Sequence, residues 1–140
     1  MAQQSHTLTA LLMWKDEPII KAITGDPCSG KAVLLAEFQK FLQSSDIPSD
    51  RIIAINFGTV KLLPNYHMLY NSIKDRLCSN ETTYILLDEI QLVSGFEKVL
   101  ASLLTKPNVD INIAGFRAPL LGDPDATLPS GRYIEIRMEA

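Results

Sequence analysis

Eight consecutive residues carry the sharpest chemical signal in this chain: Gly25-Asp26-Pro27-Cys28-Ser29-Gly30-Lys31-Ala32. They follow the pattern G-x-x-x-x-G-K-[ST] up to its last position. In that pattern backbone N–H groups wrap phosphates, the lysine neutralises their charge and the final hydroxyl holds Mg²⁺. Ala32 stands where the hydroxyl belongs. Lys31 and the amides of residues 29–32 still suit an anion at a helix N-terminus. Pro27 offers no N–H, and Asp26 sets a negative charge beside the phosphates, which opposes binding. Cys28 reads either as a thiol of lowered pKa near a helix start or, more simply, as a buried inert thiol.

A second cluster completes the chemistry. Tyr84-Ile85-Leu86-Leu87 is an apolar run ending in two adjacent acids, Asp88 and Glu89. An Asp in that position orients Mg²⁺ and its waters, and a Glu beside it can polarise the attacking water as a general base. Arg132 is a candidate phosphate contact, in this subunit or a neighbour, against the plainer reading of a surface arginine opening a strand. Arg117 is a weaker candidate of the same kind, because a guanidinium suits phosphate oxygens. His6 and His67 have no Cys or His partner at ligand spacing, so neither suggests a metal site.

These groups need strands and helices to bring them together, and the pattern supplies both. Ile19 to Thr24 reads as a strand stopped by Gly25, and Gly30 to Leu42 as a helix with Val33, Leu34, Leu35, Phe38, Phe41 and Leu42 at helical spacing. Strand, glycine turn and helix are the context that a phosphate loop requires. A short amphipathic helix around Leu8, Leu11 and Leu12 precedes Trp14. Further strands are expected at 51–57, 82–87, 109–114 and 132–138, with helices at 66–77 and 95–104. The helix at 66–77 is expected to turn Met68, Leu69, Ile73 and Leu77 to one side. Strands alternating with helices predict a three-layer α/β fold on a mainly parallel sheet. Such sheets bind ligands at the carboxyl ends of their strands, where the glycine loop begins.

Composition narrows the setting. The chain has 140 residues, enough for one domain with a full core. Its 46% hydrophobic and 21% charged content is that of a globular protein. A net charge of −3 and a pI near 5.3 do not support a nucleic-acid surface. No apolar run approaches the roughly 20 residues of a membrane span, and the polar stretch 1–9 lacks the core of a secretion signal. Two cysteines, Cys28 and Cys78, make neither a disulfide framework nor a metal knuckle. The cytoplasm is the default compartment. The loops Leu62-Leu63-Pro64 and Pro119-Leu120-Leu121 read as core cover or as exposed apolar faces.

From about Leu11 to Ile136 the chain resembles the bacterial and archaeal AAA-type ATPases whose C-terminal half is a separate domain. The resemblance rests on Trp14-Lys15-Asp16, Thr24-Gly25, Gly30-Lys31, Ile53-Ala54-Ile55-Asn56-Phe57, Leu87-Asp88-Glu89-Ile90-Gln91 with Phe96 beyond, Val109-Asp110-Ile111 and Ser130-Gly131-Arg132-Tyr133-Ile134-Glu135-Ile136. It implies a five-stranded P-loop core in the order 5-1-4-3-2, ATP and Mg²⁺ as ligands, and hydrolysis coupled to movement of an oligomer or a partner domain. It also implies that residues 1–140 are a single AAA-type nucleotide-binding domain without the C-terminal lid and following domain. Where relatives resemble one another in a hydroxyl at Ala32 and a small polar pair at Phe116-Arg117, this chain departs. One lost electrostatic stabiliser typically costs about 3–4 kcal/mol in the transition state. The expectation is therefore a domain that binds ATP and turns it over weakly or not at all. The rival expectation is a pseudo-ATPase that serves as a protein-interaction scaffold.

Overall fold

Side-chain alternation along five strands sorts the apolar residues onto two faces, and helices cover both. The computed structural model describes residues 2–17, 19–25, 30–77, 80–116 and 133–138, with side chains from Leu8 onward. In chain order the elements are α1 (Ala2–Met13), β1 (Ile20–Thr24), α2 (Lys31–Ser44), β2 (Ile52–Asn56), α3 (Tyr66–Lys74), β3 (Thr83–Asp88), α4 (Phe96–Leu104), β4 (Val109–Gly115) and β5 (Tyr133–Arg137). Single 3₁₀ turns sit at Ser49–Arg51 and Ile90–Leu92.

The strands form one sheet in the order β2-β3-β4-β1-β5, the expected 5-1-4-3-2 read from the other edge. All four pairings are parallel. Parallel pairing demands crossover helices on both faces, and the two core clusters record them. Ile20, Ala22, Ile85, Leu87, Ile111 and Ile113 face α3 and α4, packing with Leu69, Ile73, Val99, Leu100 and Leu103. Ile23, Tyr84, Leu86 and Ala114 face α1 and α2, packing with Leu11, Leu34, Leu35, Phe38 and Leu42. Period two in the strands has met period 3.6 in the helices.

Local chemistry fixes the helix ends. The Asn65 side chain caps α3 by accepting from the Met68 N–H at 2.8 Å, a contact worth about 1 kcal/mol. Gly95 starts α4 at φ 80°, and a Cβ there would lie 2.7 Å from the Tyr66 ring. Only glycine gives both the left-handed turn and that close approach.

The expected boundaries move by more than one residue in three helices. Helix α1 begins at Ala2, well before Leu8, and α2 runs two residues past Leu42. Helix α3 closes at Lys74, because the Asp75 and Arg76 N–H groups bond back into its last turn. Val33, Phe41 and Met68 are exposed rather than core-facing. Each is adjacent in sequence to a buried residue, and one position on a helix turns the side chain by about 100°. Leu62, 89% exposed, settles its loop as an apolar surface. Pro119-Leu120-Leu121 lies outside the described residues.

Candidate functional site

The carboxyl ends of β1, β3 and β4 are neighbours in the sheet, and the described candidate residues collect there. Register pairs Asp88 of β3 with Ala114 of β4, and Thr24 of β1 with Gly115. Gly30, at φ 92° and ψ 16°, turns the chain into α2. Such a left-handed turn is open to glycine at little cost. Its carbonyl accepts the first helical bond, from the Leu34 N–H at 2.9 Å. Lys31 is therefore the first helical residue and reaches back over the strand ends. Its side chain is only 4% exposed. Nζ donates to the Gly25 carbonyl at 3.0 Å and lies 5.1 Å from the centre of the Phe116 ring.

Asp88 is 7% exposed, and its Oδ1 has no hydrogen-bond partner. Burial first, and the charge of Glu89 second, push its carboxyl above the ordinary aspartate range, while Lys31 pulls the other way. A buried carboxylate with an unused oxygen favours a nearby cation. Glu89 follows in a left-handed conformation, φ 57° and ψ 40°. For a side chain other than glycine this is a sparsely used and costly region. The Glu89 N–H donates to the Ala114 carbonyl at 2.8 Å, which fixes the turn. Gln91 Nε2 donates to Glu89 Oε1 at 2.6 Å and so aims the carboxylate.

Ala32 is exposed. It lines a cleft of about 200 Å³ between α2 and β2 together with Ala36, Gln39, Asn56 and Asp88. The residues present fit a divalent cation in part: Asp88 offers an unused carboxylate oxygen, and Ala32 offers only a methyl group. Asp26, Pro27, Cys28, Ser29, Cys78, Arg117 and Arg132 lie outside the described residues, as does the side chain of His6. His67 is exposed and stacks on Tyr66, with ring centres 4.2 Å apart. Among the described residues no cluster of His, Cys, Asp and Glu could hold a metal ion, and no helix is long and apolar enough to cross a membrane.

Sequence reasoning missed two parts of this arrangement. The hold of Gln91 on Glu89 has a local signal, an amide two residues after the acid. The contact of Phe116 with Lys31 has none, since 85 positions separate the two residues.

A parallel sheet in this order, with a glycine turn into a helix-starting lysine and an acid pair at the next strand but one, defines an AAA-type P-loop α/β domain. Residues 17–140 match the AAA domain family, and the chain belongs to that family. An uncharacterized protein of Haemophilus influenzae is 38% identical over 144 aligned positions, covering 99% of this chain and 35% of its own length. The chain thus spans about a third of that relative. Among solved structures, a DNA polymerase III gamma subunit-related protein from Thermotoga maritima superposes with a TM-score of 0.69 at 16% identity, covering 99% of this chain and 46% of that one. Drosophila ORC, solved bound to DNA, gives 0.61 at 14% identity, with 99% and 93% covered. PCH-2 of C. elegans gives 0.56 at 14%, with 97% and 41% covered. At such identities these likenesses are likenesses of fold.

Proposed function

We propose that this AAA domain binds ATP at the carboxyl ends of β1, β3 and β4 and hydrolyses it weakly or not at all. One observation carries the reading: a buried lysine at the first position of α2 shares the strand ends with a buried aspartate whose Oδ1 is unused. Lys31 offers its ammonium to the phosphates, and the N-terminus of α2 adds its dipole to the same anion. Asp88 would hold Mg²⁺, directly or through water, and Glu89 would take a proton from an attacking water. When bound, Mg²⁺ supplies neutralisation of the charge that develops on the phosphates. Ala32 gives that ion no oxygen, which is why binding is ranked above turnover. The cleft beside Ala32 leaves space for water in place of the missing hydroxyl.

The alternative reading, a scaffold without nucleotide, draws on the same Ala32 and on Phe116, a ring that donates no hydrogen bond. Contacts with a neighbouring copy of the chain or with another protein would then carry the function. Thermal melts with and without excess ATP, each with and without Mg²⁺, separate the two. Ligand at about 100 times its Kd adds roughly 2.7 kcal/mol, a rise of several degrees in a domain of this size. The expected result is a rise with wild type, little changed by Mg²⁺ and lost in Lys31→Ala. No rise at saturating ATP would sink nucleotide binding in favour of the scaffold.

A further inference from the structure

Phe116 is the residue just past β4, the strand that lies between β1 and β3. Along β4 the side chains of Asp110, Asn112 and Ala114 share one face of the sheet by alternation, and Phe116 continues that series. Yet the ring belongs to neither core cluster and is 37% exposed. An aromatic residue outside the core needs another reason for its position. Among the described residues its ring meets the Lys31 ammonium, 5.1 Å from the ring centre, inside the range where a cation is drawn to an aromatic face.

We infer that Phe116 is a positioning residue for Lys31: its ring and the Gly25 carbonyl together hold the ammonium over the strand ends, ready for a polyphosphate. This rests on the nucleotide reading above and assigns a residue to it. Lysine is a flexible chain with many rotamers, and fixing it only when the ligand arrives weakens binding by the entropy lost. Here two contacts from different elements, an acceptor in front and a π face beside, meet that cost during folding. Unlike a carboxylate, the ring attracts the cation without neutralising it. That matters because a carboxylate is at hand. Asp88 feels the Lys31 charge, and its Oδ1 nevertheless has no hydrogen-bond partner. The ring is thus a second hold on the ammonium, beside the attraction of the Asp88 carboxyl.

Two measurements test this on the whole chain. In the first, lysines are reductively methylated with ¹³C and the Lys31 resonance is assigned with Lys31→Arg. Shielding above an aromatic face moves a resonance upfield, so Lys31 is expected upfield of the other lysines in wild type and in Phe116→Tyr. In Phe116→Leu, which keeps bulk and removes the π face, it is expected among them. In the second, calorimetry on unmodified protein compares ATP affinity. Phe116→Leu is expected to bind about 3- to 10-fold more weakly, the range for a partly exposed cation–π contact, and Phe116→Tyr to bind as wild type does. An unshifted Lys31 resonance in wild type would overturn the inference, and so would equal affinities for wild type and Phe116→Leu, with ATP binding itself intact in both cases. A shifted lysine in a protein that binds no ATP would instead refute the nucleotide reading and take the positioning role with it.

Discussion

The two ends of the sheet share one face and treat charge in opposite ways. At the amino end, Lys21 of β1 and Asp110 of β4 are fully buried, with Nζ 3.2 Å from Oδ1. The Asn112 amide donates to the same Oδ1 at 2.7 Å, and the Asp16 N–H donates to Oδ2. The Tyr84 hydroxyl donates to Asp16 Oδ1 at 2.6 Å, and Lys15 pairs with Oδ2 at 2.8 Å. Partial burial works against the Asp16 charge, but these bonds from Lys15 and Tyr84 hold its carboxyl below the usual aspartate range. Burial lowers the Lys21 pKa and Asp110 opposes that effect. At the carboxyl end, Asp88 is pushed the other way and keeps a bare oxygen, and Glu89 holds a costly backbone conformation. Between them Ile23, Leu86 and Ala114 form an apolar waist. One end sets its charges against each other, although Lys21 Nζ and Asn112 Oδ1 still lack a full hydrogen bond. The other keeps a buried carboxylate oxygen unused.

Breaking the matched end has the largest effect. Asp110→Ala strands the Lys21 charge in the core, and losing one partner of a buried pair costs about 3–5 kcal/mol. Chemical denaturation should show that loss with no change in the affinity for ATP. A loss below about 1 kcal/mol would mean that water or another group already serves Lys21.

The unmatched end predicts the opposite sign. Because burial and Glu89 raise the Asp88 pKa in the folded state, its charge costs stability above the folded pKa and costs nothing below the unfolded one. Asp88→Asn should therefore raise Tm by a few degrees near neutral pH. That gain should shrink as pH falls through the folded pKa and vanish near pH 3. Melts that rank Asp88→Asn below wild type at pH 7 would show that this carboxylate has a partner in solution.

The smallest effect is expected at Glu89. Replacing it with glycine relieves a left-handed residue, about 1–2 kcal/mol, against the extra chain entropy of glycine, about 0.5–1 kcal/mol. Glu89→Gly should come out stabilised by about 0.5 kcal/mol and lose whatever hydrolysis the wild type has. A measurable loss of stability would instead give the bond from Gln91 to Glu89 a structural value larger than the backbone strain.

Local pattern made much of this legible. The strand at 82–87, the glycine entry to α2 and the Asp88-Glu89 pair are short-range signals, each contained in fewer than ten residues. Strand order came from the family resemblance rather than from periodicity, since parallel strands separated by helices carry no register signal of their own. Helix faces were read less well, as exposed Val33, Phe41 and Met68 show. Hydrophobicity says that a residue is apolar, and only the packing of a neighbouring element says whether that side is covered.

Sequence alone determined the residue types at the site and their positions next to strand ends and turns: Gly30, Lys31, Ala32, Asp88 and Glu89. Tertiary structure decided what these groups do to one another. The ring of Phe116 beside the Lys31 ammonium and the pairing of Lys21 with Asp110 both join residues from different parts of the chain. Such contacts depend on sheet order and alternation acting together, because a residue's face is set by its own strand and its neighbours by the strands beside it.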